Sequence, residues 1–173
     1  MVFSRRRAIR MITRIVQLFL HVCRFLHIRI PESKEAGIEQ FIKFCIVGVS
    51  NTLLSYLLYS GTLLLLRFTE IPVKYGIYIA HTVQFVISVA WSFYWNNRYV
   101  FALDEGQHRV WWRTLLKTYA SYAFTGLFLN ALLLGLWVNL LGISEYIAPF
   151  LNLLINVPVN FLINKYWAFR RTH

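Results

Sequence analysis

Four stretches of this chain are long, apolar and free of Asp, Glu, Lys and Arg: Cys45 to Leu66, Gly76 to Asn96, Tyr119 to Leu141 and Tyr146 to Ile163. Each is close to the roughly 20 residues that carry an α-helix across the hydrocarbon core of a bilayer. Hydrocarbon offers backbone N–H and C=O groups no partners, so a spanning segment must satisfy them internally, and runs of this length select helices. The segments between them are too short for a soluble domain. With 58% hydrophobic and 14% charged residues in 173 and a mean hydropathy of +0.52, the chain is too apolar for an ordinary soluble fold. The expected fold is all-α integral membrane, with four transmembrane helices.

A net charge of +11 is compatible with nucleic-acid binding, but the placement of the charge decides otherwise. Residues 1–43, 98–117 and 165–171 together hold 16 of the 18 Lys and Arg, and a four-span topology puts all three regions on one side. Only Arg67 and Lys74 fall in the opposite connection. The positive-inside rule then places both termini in the cytoplasm, in a multi-pass protein of the cell's inner (cytoplasmic) membrane with no nucleic-acid partner.

The first 30 residues alternate Arg5, Arg6, Arg7, Arg10, Arg14 and Arg24 with Ile9, Ile12, Ile15, Phe19, Leu20 and Phe25. That mixture is too charged to span and predicts an amphipathic interfacial helix on the anionic inner leaflet. Residues 1–36 are thus read as a basic arm and 37–173 as the membrane domain. Cys23 and Cys45 are the two cysteines and indicate neither a disulfide framework nor a metal cluster.

Along Tyr146–Phe169, Asn152, Asn156, Asn160 and Asn164 recur every fourth residue, which draws a polar stripe along one face of a helix. Laying Tyr78–Phe101 on Tyr146–Phe169 without a gap matches Ala80 with Ala148, Val89 with Val157, Phe93 with Phe161, Asn96 with Asn164 and Phe101 with Phe169. The same alignment sets Gln84, Ser88, Ser92 and Asn96 over the four asparagines. We read two two-helix repeats of parallel orientation, about 40–101 and about 114–169. Pro158 interrupts the hydrogen-bond ladder of the last span, and His81 is expected to be a hydrogen-bonded core residue. The segment ALDEGQHRVWWRTLLK is expected to run along the inner surface, anchored by Trp111 and Trp112.

FIKFCIVGVSNTLLSYLLY, SFYWNNRYVF and VNFLINKYWAF resemble the GtrA family of small four-span proteins, over about residues 40–171. The resemblance implies a part in cell-surface polysaccharide synthesis. Its members are proposed to carry a polyprenyl-phosphate-linked sugar across the membrane beside a membrane glycosyltransferase, the expected partner enzyme. The residues fit such a ligand. An amide stripe exchanges hydrogen bonds with sugar hydroxyls without burying charge. Arg98, Lys165, Lys43 and Lys117, near the inner helix ends, are the candidate phosphate partners. Candidate ligand-binding residues are therefore Gln84, Ser88, Ser92, Asn96, Arg98, Asn152, Asn156, Asn160, Asn164, Lys165, Lys43 and Lys117. For any one asparagine, hydrogen bonding between helices is the simpler role; eight aligned polar positions point instead to a ligand-facing groove.

No serine-histidine-acid set, carboxylate pair or metal cluster appears, and all seven acidic residues lie outside the apolar stretches, so no enzyme activity, cofactor or metal is expected. The same absence disfavours a proton-coupled exporter of small molecules. A non-transporting anchor for a glycosyltransferase is the main alternative to a translocator. Four helices are narrow for enclosing a sugar headgroup, so a homo-oligomer, most simply a dimer, is expected.

Overall fold

The computed structural model describes Gln17, residues 32–104 and residues 106–170, in two units, Met1–Ile46 and Val47–His173. The amphipathic helix expected over the first 30 residues lies outside the described residues. Helix α1 covers Glu32–Leu66. In the first unit its most defined polar contact is the ion pair of Lys43 Nζ with Glu39 Oε1 at 2.6 Å, one helical turn apart.

In the second unit, α2 (Val73–Trp95) starts directly after Pro72, whose fixed φ and missing N–H suit the start of a helix. It runs on into a π-helical turn at Asn96–Val100. Next, α3 (Trp111–Ala123) continues through a π-helical segment (Phe124–Leu129), α4 (Asn130–Leu134) and a second π-helical segment (Gly135–Leu140) as one rod. Gly142, at φ +64°, ends it: that left-handed conformation lets the Ile143 N–H turn back to Trp137 O at 2.8 Å. Pro149 then opens the first turn of α5 (Ala148–Ile163), where its missing N–H costs nothing. A last π-helical turn covers Asn164–Ala168.

Among the described residues there are helices and connecting segments and no β-strand. Three helical runs are long and apolar enough to cross a membrane: Glu35–Leu66, Val73–Val100 and Trp111–Leu140. The chain is a membrane protein by this measure. The fourth apolar stretch forms a 16-residue α-helix that runs through Pro158 without a break; its three asparagines and two prolines dilute its apolar character.

Helix α3 begins at Trp111, so the surface segment expected to reach Lys117 ends at Val110. WWRTLLKTYA has no Gly or Pro, and its Arg and Lys are good helix formers, so charge ended the apolar run without ending the helix.

Small residues let the second unit's helices approach closely. Ala80 and Ala148, aligned positions of α2 and α5, are both fully buried. On the third rod Thr114, Thr118, Ser121 and Thr125 form a buried stripe at alternating spacings of four and three. Three of these hydroxyls bond back to their own helix, Thr114 to Val110 O (3.1 Å), Thr118 to Thr114 O (2.8 Å) and Thr125 to Ser121 O (2.9 Å). They are thereby buried without being orphaned.

Candidate functional site

The ends of α2 and α5 repeat each other in detail. Each passes into a π-helical turn at the aligned asparagine, and Phe101 N–H donates to Asn96 O at 2.8 Å as Phe169 N–H donates to Asn164 O at 2.8 Å. The aromatic contacts are reciprocal. Phe93 meets Phe169 at 5.9 Å between ring centroids, Phe161 meets Phe101 at 6.0 Å, and Phe101 and Phe169 stack on each other at 4.7 Å. Offset stacking at these separations is favourable beyond the area it buries.

Asn96 and Asn164 lie at this convergence with no solvent exposure. Asn96 Nδ2 donates to Ser92 Oγ at 3.3 Å, while Asn164 Nδ2 donates to Asn160 O at 2.8 Å and Asn160 Oδ1 at 2.9 Å. Each amide thus spends its donors one turn back on its own helix. Each Oδ1 is buried without a hydrogen-bond partner among the described residues. An unpaired buried acceptor is costly, so the site is short of donors.

Tyr122 links the two stripes. Its hydroxyl pairs with Ser92 Oγ and lies within hydrogen-bonding reach of Asn96 and Asn160. Nothing in the stripe pattern singled out this residue, because it sits on the third rod and matches no polar position in the alignment. Its position in TYASYAF, beside the small-residue stripe, was the available signal.

Arg109, expected beside an interface anchor, instead joins the two helix ends. Its Nη1 donates to Asn97 Oδ1 at 2.8 Å and to Phe101 O at 3.1 Å, its Nη2 donates to Phe169 O at 2.8 Å, and its guanidinium lies 5.1 Å from the Phe169 ring centroid. Helix ends leave carbonyls without internal donors and carry partial negative charge, both of which suit a guanidinium.

Further along α5, Asn152 is engaged on every side: Trp137 Nε1 donates to its Oδ1 at 2.9 Å, and its Nδ2 donates to Asn130 O at 3.0 Å and Asn130 Oδ1 at 2.7 Å. Asn156 Nδ2 reaches the same Asn130 Oδ1 at 3.3 Å, and its own Oδ1 is buried without a partner. The asparagine stripe thus divides into an Asn130–Asn152–Trp137 tie between helices and amide oxygens at Asn156 and Asn164 that lack a donor among the described residues.

The other selected residues are spread out. Ser88 bonds back to Phe85 O at 3.4 Å, and Gln84 makes no side-chain hydrogen bond to a described residue. At the Phe101/Phe169 end, Arg98 is exposed over the rings of Tyr94 (6.0 Å) and Tyr99 (5.8 Å), Lys165 lies over Phe161 (5.5 Å) and Tyr166 (5.7 Å), and Lys117 reaches Trp167 O at 3.5 Å. Lys43 belongs to the first unit, paired with Glu39. His81 departs from expectation: it lies on an exposed face of α2 and packs on Tyr59 at 4.8 Å between ring centroids. Among the described residues no group of three or more His, Cys, Asp or Glu is placed to hold a metal ion.

The family model described as GtrA/DPMS, transmembrane domain, matches residues 43–169. Among curated proteins and among solved structures nothing matches the chain.

Proposed function

Because the chain belongs to the GtrA/DPMS transmembrane-domain family, we propose that it translocates a polyprenyl-phosphate-linked sugar across the cytoplasmic membrane for cell-surface polysaccharide synthesis, without being an enzyme. The observation that carries this reading is the pair of fully buried amides, Asn96 and Asn164, whose carbonyl oxygens have no donor. Sugar hydroxyls are donors, and they match these acceptors without bringing charge into the helices. Ser92, Asn160 and the Tyr122 hydroxyl add exchangeable partners in the same network. Arg98, Lys117 and Lys165 lie at that end, where a phosphate on the headgroup would meet them.

In this reading α5 is a fourth span, and the chain is two parallel two-helix repeats with both termini cytoplasmic. The reciprocal phenylalanine contacts support the repeat, and the 16-to-2 division of basic residues supports the orientation. The Phe101/Phe169 end then faces the cytoplasm, where a membrane glycosyltransferase loads the lipid. Gln84, Ser88 and Asn156 continue the polar path outward, and a second copy of the chain closes it on the lipid side.

The test is thermal unfolding of the purified protein in detergent with a polyprenyl-phosphate hexose and with the matching polyprenol. A ligand at 100 times its Kd stabilises by about 2.7 kcal/mol. The expected result is a shift with the sugar lipid that the polyprenol does not give; no shift with either would overturn the reading.

A further inference from the structure

The cations assigned to the headgroup sit around the Phe101/Phe169 end, whereas Arg109 lies across it. Its guanidinium holds Phe101 O, Phe169 O and Asn97 Oδ1 together, and it covers the Phe169 ring. Behind the stacked rings of Phe101 and Phe169 are the turns that bury Asn96 and Asn164 completely. At that end Arg109 bonds to both backbones beside the stacked rings.

We infer that Arg109 is a phosphate-released latch: it holds Phe101 and Phe169 closed over Asn96 and Asn164, and a phosphate that captures its guanidinium lets this end open. The exchange has a physical direction. Phe101 O, Phe169 O and Asn97 Oδ1 are neutral acceptors, while a phosphate offers charged oxygens in the fork geometry that guanidinium matches and so adds ion-pair attraction to bidentate bonding. Loss of Arg109 leaves two stacked phenylalanines whose helix ends have no cross-tie through that side chain. The same group that recognises the anion thus reports its arrival to the gate. The inference rests on the proposed headgroup site, since it assigns Arg109 the control of access to it.

The experiment uses the full chain with Cys23→Ala and Cys45→Ala, and Ser92→Cys as reporter, because Ser92 is fully buried beside Asn96 and Tyr122. The rate of modification by a charged thiosulfonate is measured in neutral detergent. With Arg109 present the expected rate is slow; Arg109→Gln raises it about tenfold or more, and Asn97→Ala, which removes one of the bonds, raises it less. Polyprenyl phosphate speeds the reaction when Arg109 is present, polyprenol does not, and Arg109→Gln no longer responds to either. Acceleration by inorganic phosphate as well as by the lipid upholds the latch and shows that it reads the phosphate alone. Equal rates for Arg109 and Arg109→Gln in monodisperse protein overturn it. If Arg109→Gln does not fold, rates unmoved by both Asn97→Ala and polyprenyl phosphate overturn it. A thermal shift with the sugar lipid and no change in labelling removes the latch and leaves the proposed function. Labelling released by phosphate with no sugar-lipid shift does the reverse.

Discussion

Phe101 and Phe169 occupy aligned positions in two segments of the chain, and they meet each other, ring on ring, at 4.7 Å. A residue that contacts its own counterpart lies close to the axis relating the two, and the crossed pairs Phe93–Phe169 and Phe161–Phe101 flank it symmetrically. The two helix ends therefore stabilise each other. Phe101→Leu and Phe169→Leu should each lower thermal stability, and together they should cost less than the sum of the singles by about 0.5–1.5 kcal/mol. A double-mutant cycle by thermal unfolding in detergent reads this coupling, and strict additivity would speak against the pairing.

Asn152 and Asn164 belong to the same stripe but should respond in opposite ways. Asn152 has its donors and its acceptor engaged by Asn130 and Trp137, so Asn152→Leu removes an interhelical tie and should lower stability by about 1–2 kcal/mol. Folded Asn152→Leu protein should still shift with the sugar lipid. The measurement is the unfolding midpoint without and with lipid.

Asn164→Leu removes a buried acceptor that has no donor among the described residues but also deletes the two bonds its Nδ2 gives to Asn160, so the effects oppose and stability should stay within about 1 kcal/mol of the parent. Lipid binding should fall at least tenfold if one buried hydroxyl contact, worth about 1.4 kcal/mol, is lost. A large drop in stability with unchanged affinity would place Asn164 in the packing instead.

Tyr122→Phe keeps the ring and deletes the hydroxyl that pairs with Ser92 and approaches Asn96 and Asn160. Stability should fall by about 1 kcal/mol, with Ser92 left short of a partner. Sugar-lipid affinity should fall as well, whereas Tyr119→Phe, which loses a 2.6 Å bond to Val86 O away from that network, should affect stability alone.

The membrane helices and the alignment of their polar positions were legible because charge-free runs and a spacing of four survive in any packing. The meeting of Asn96 with Tyr122, and of Arg109 with Phe101 O and Phe169 O, was not. One partner of each pair is a backbone carbonyl or an isolated tyrosine with no periodic signature, and Arg109 and Phe169 are 60 residues apart. His81 was misplaced for a related reason: hydropathy marks a residue as lying within a span but says nothing about which face is covered. The split of the asparagine stripe into engaged and donor-poor parts depended on Asn130 and Trp137, supplied by a different rod.

The central claim is translocation, and the most direct measurement is the sidedness of a polyprenyl-phosphate hexose in proteoliposomes holding the purified chain. Its sugar is scored for accessibility to a membrane-impermeant reagent over time. The account predicts exchange between leaflets well above that of protein-free liposomes, lost when Asn96 and Asn164 are both replaced by leucine in protein that remains folded. Exchange no faster than in empty liposomes, in protein that nevertheless binds the lipid, would contradict it and favour a non-transporting anchor for a glycosyltransferase.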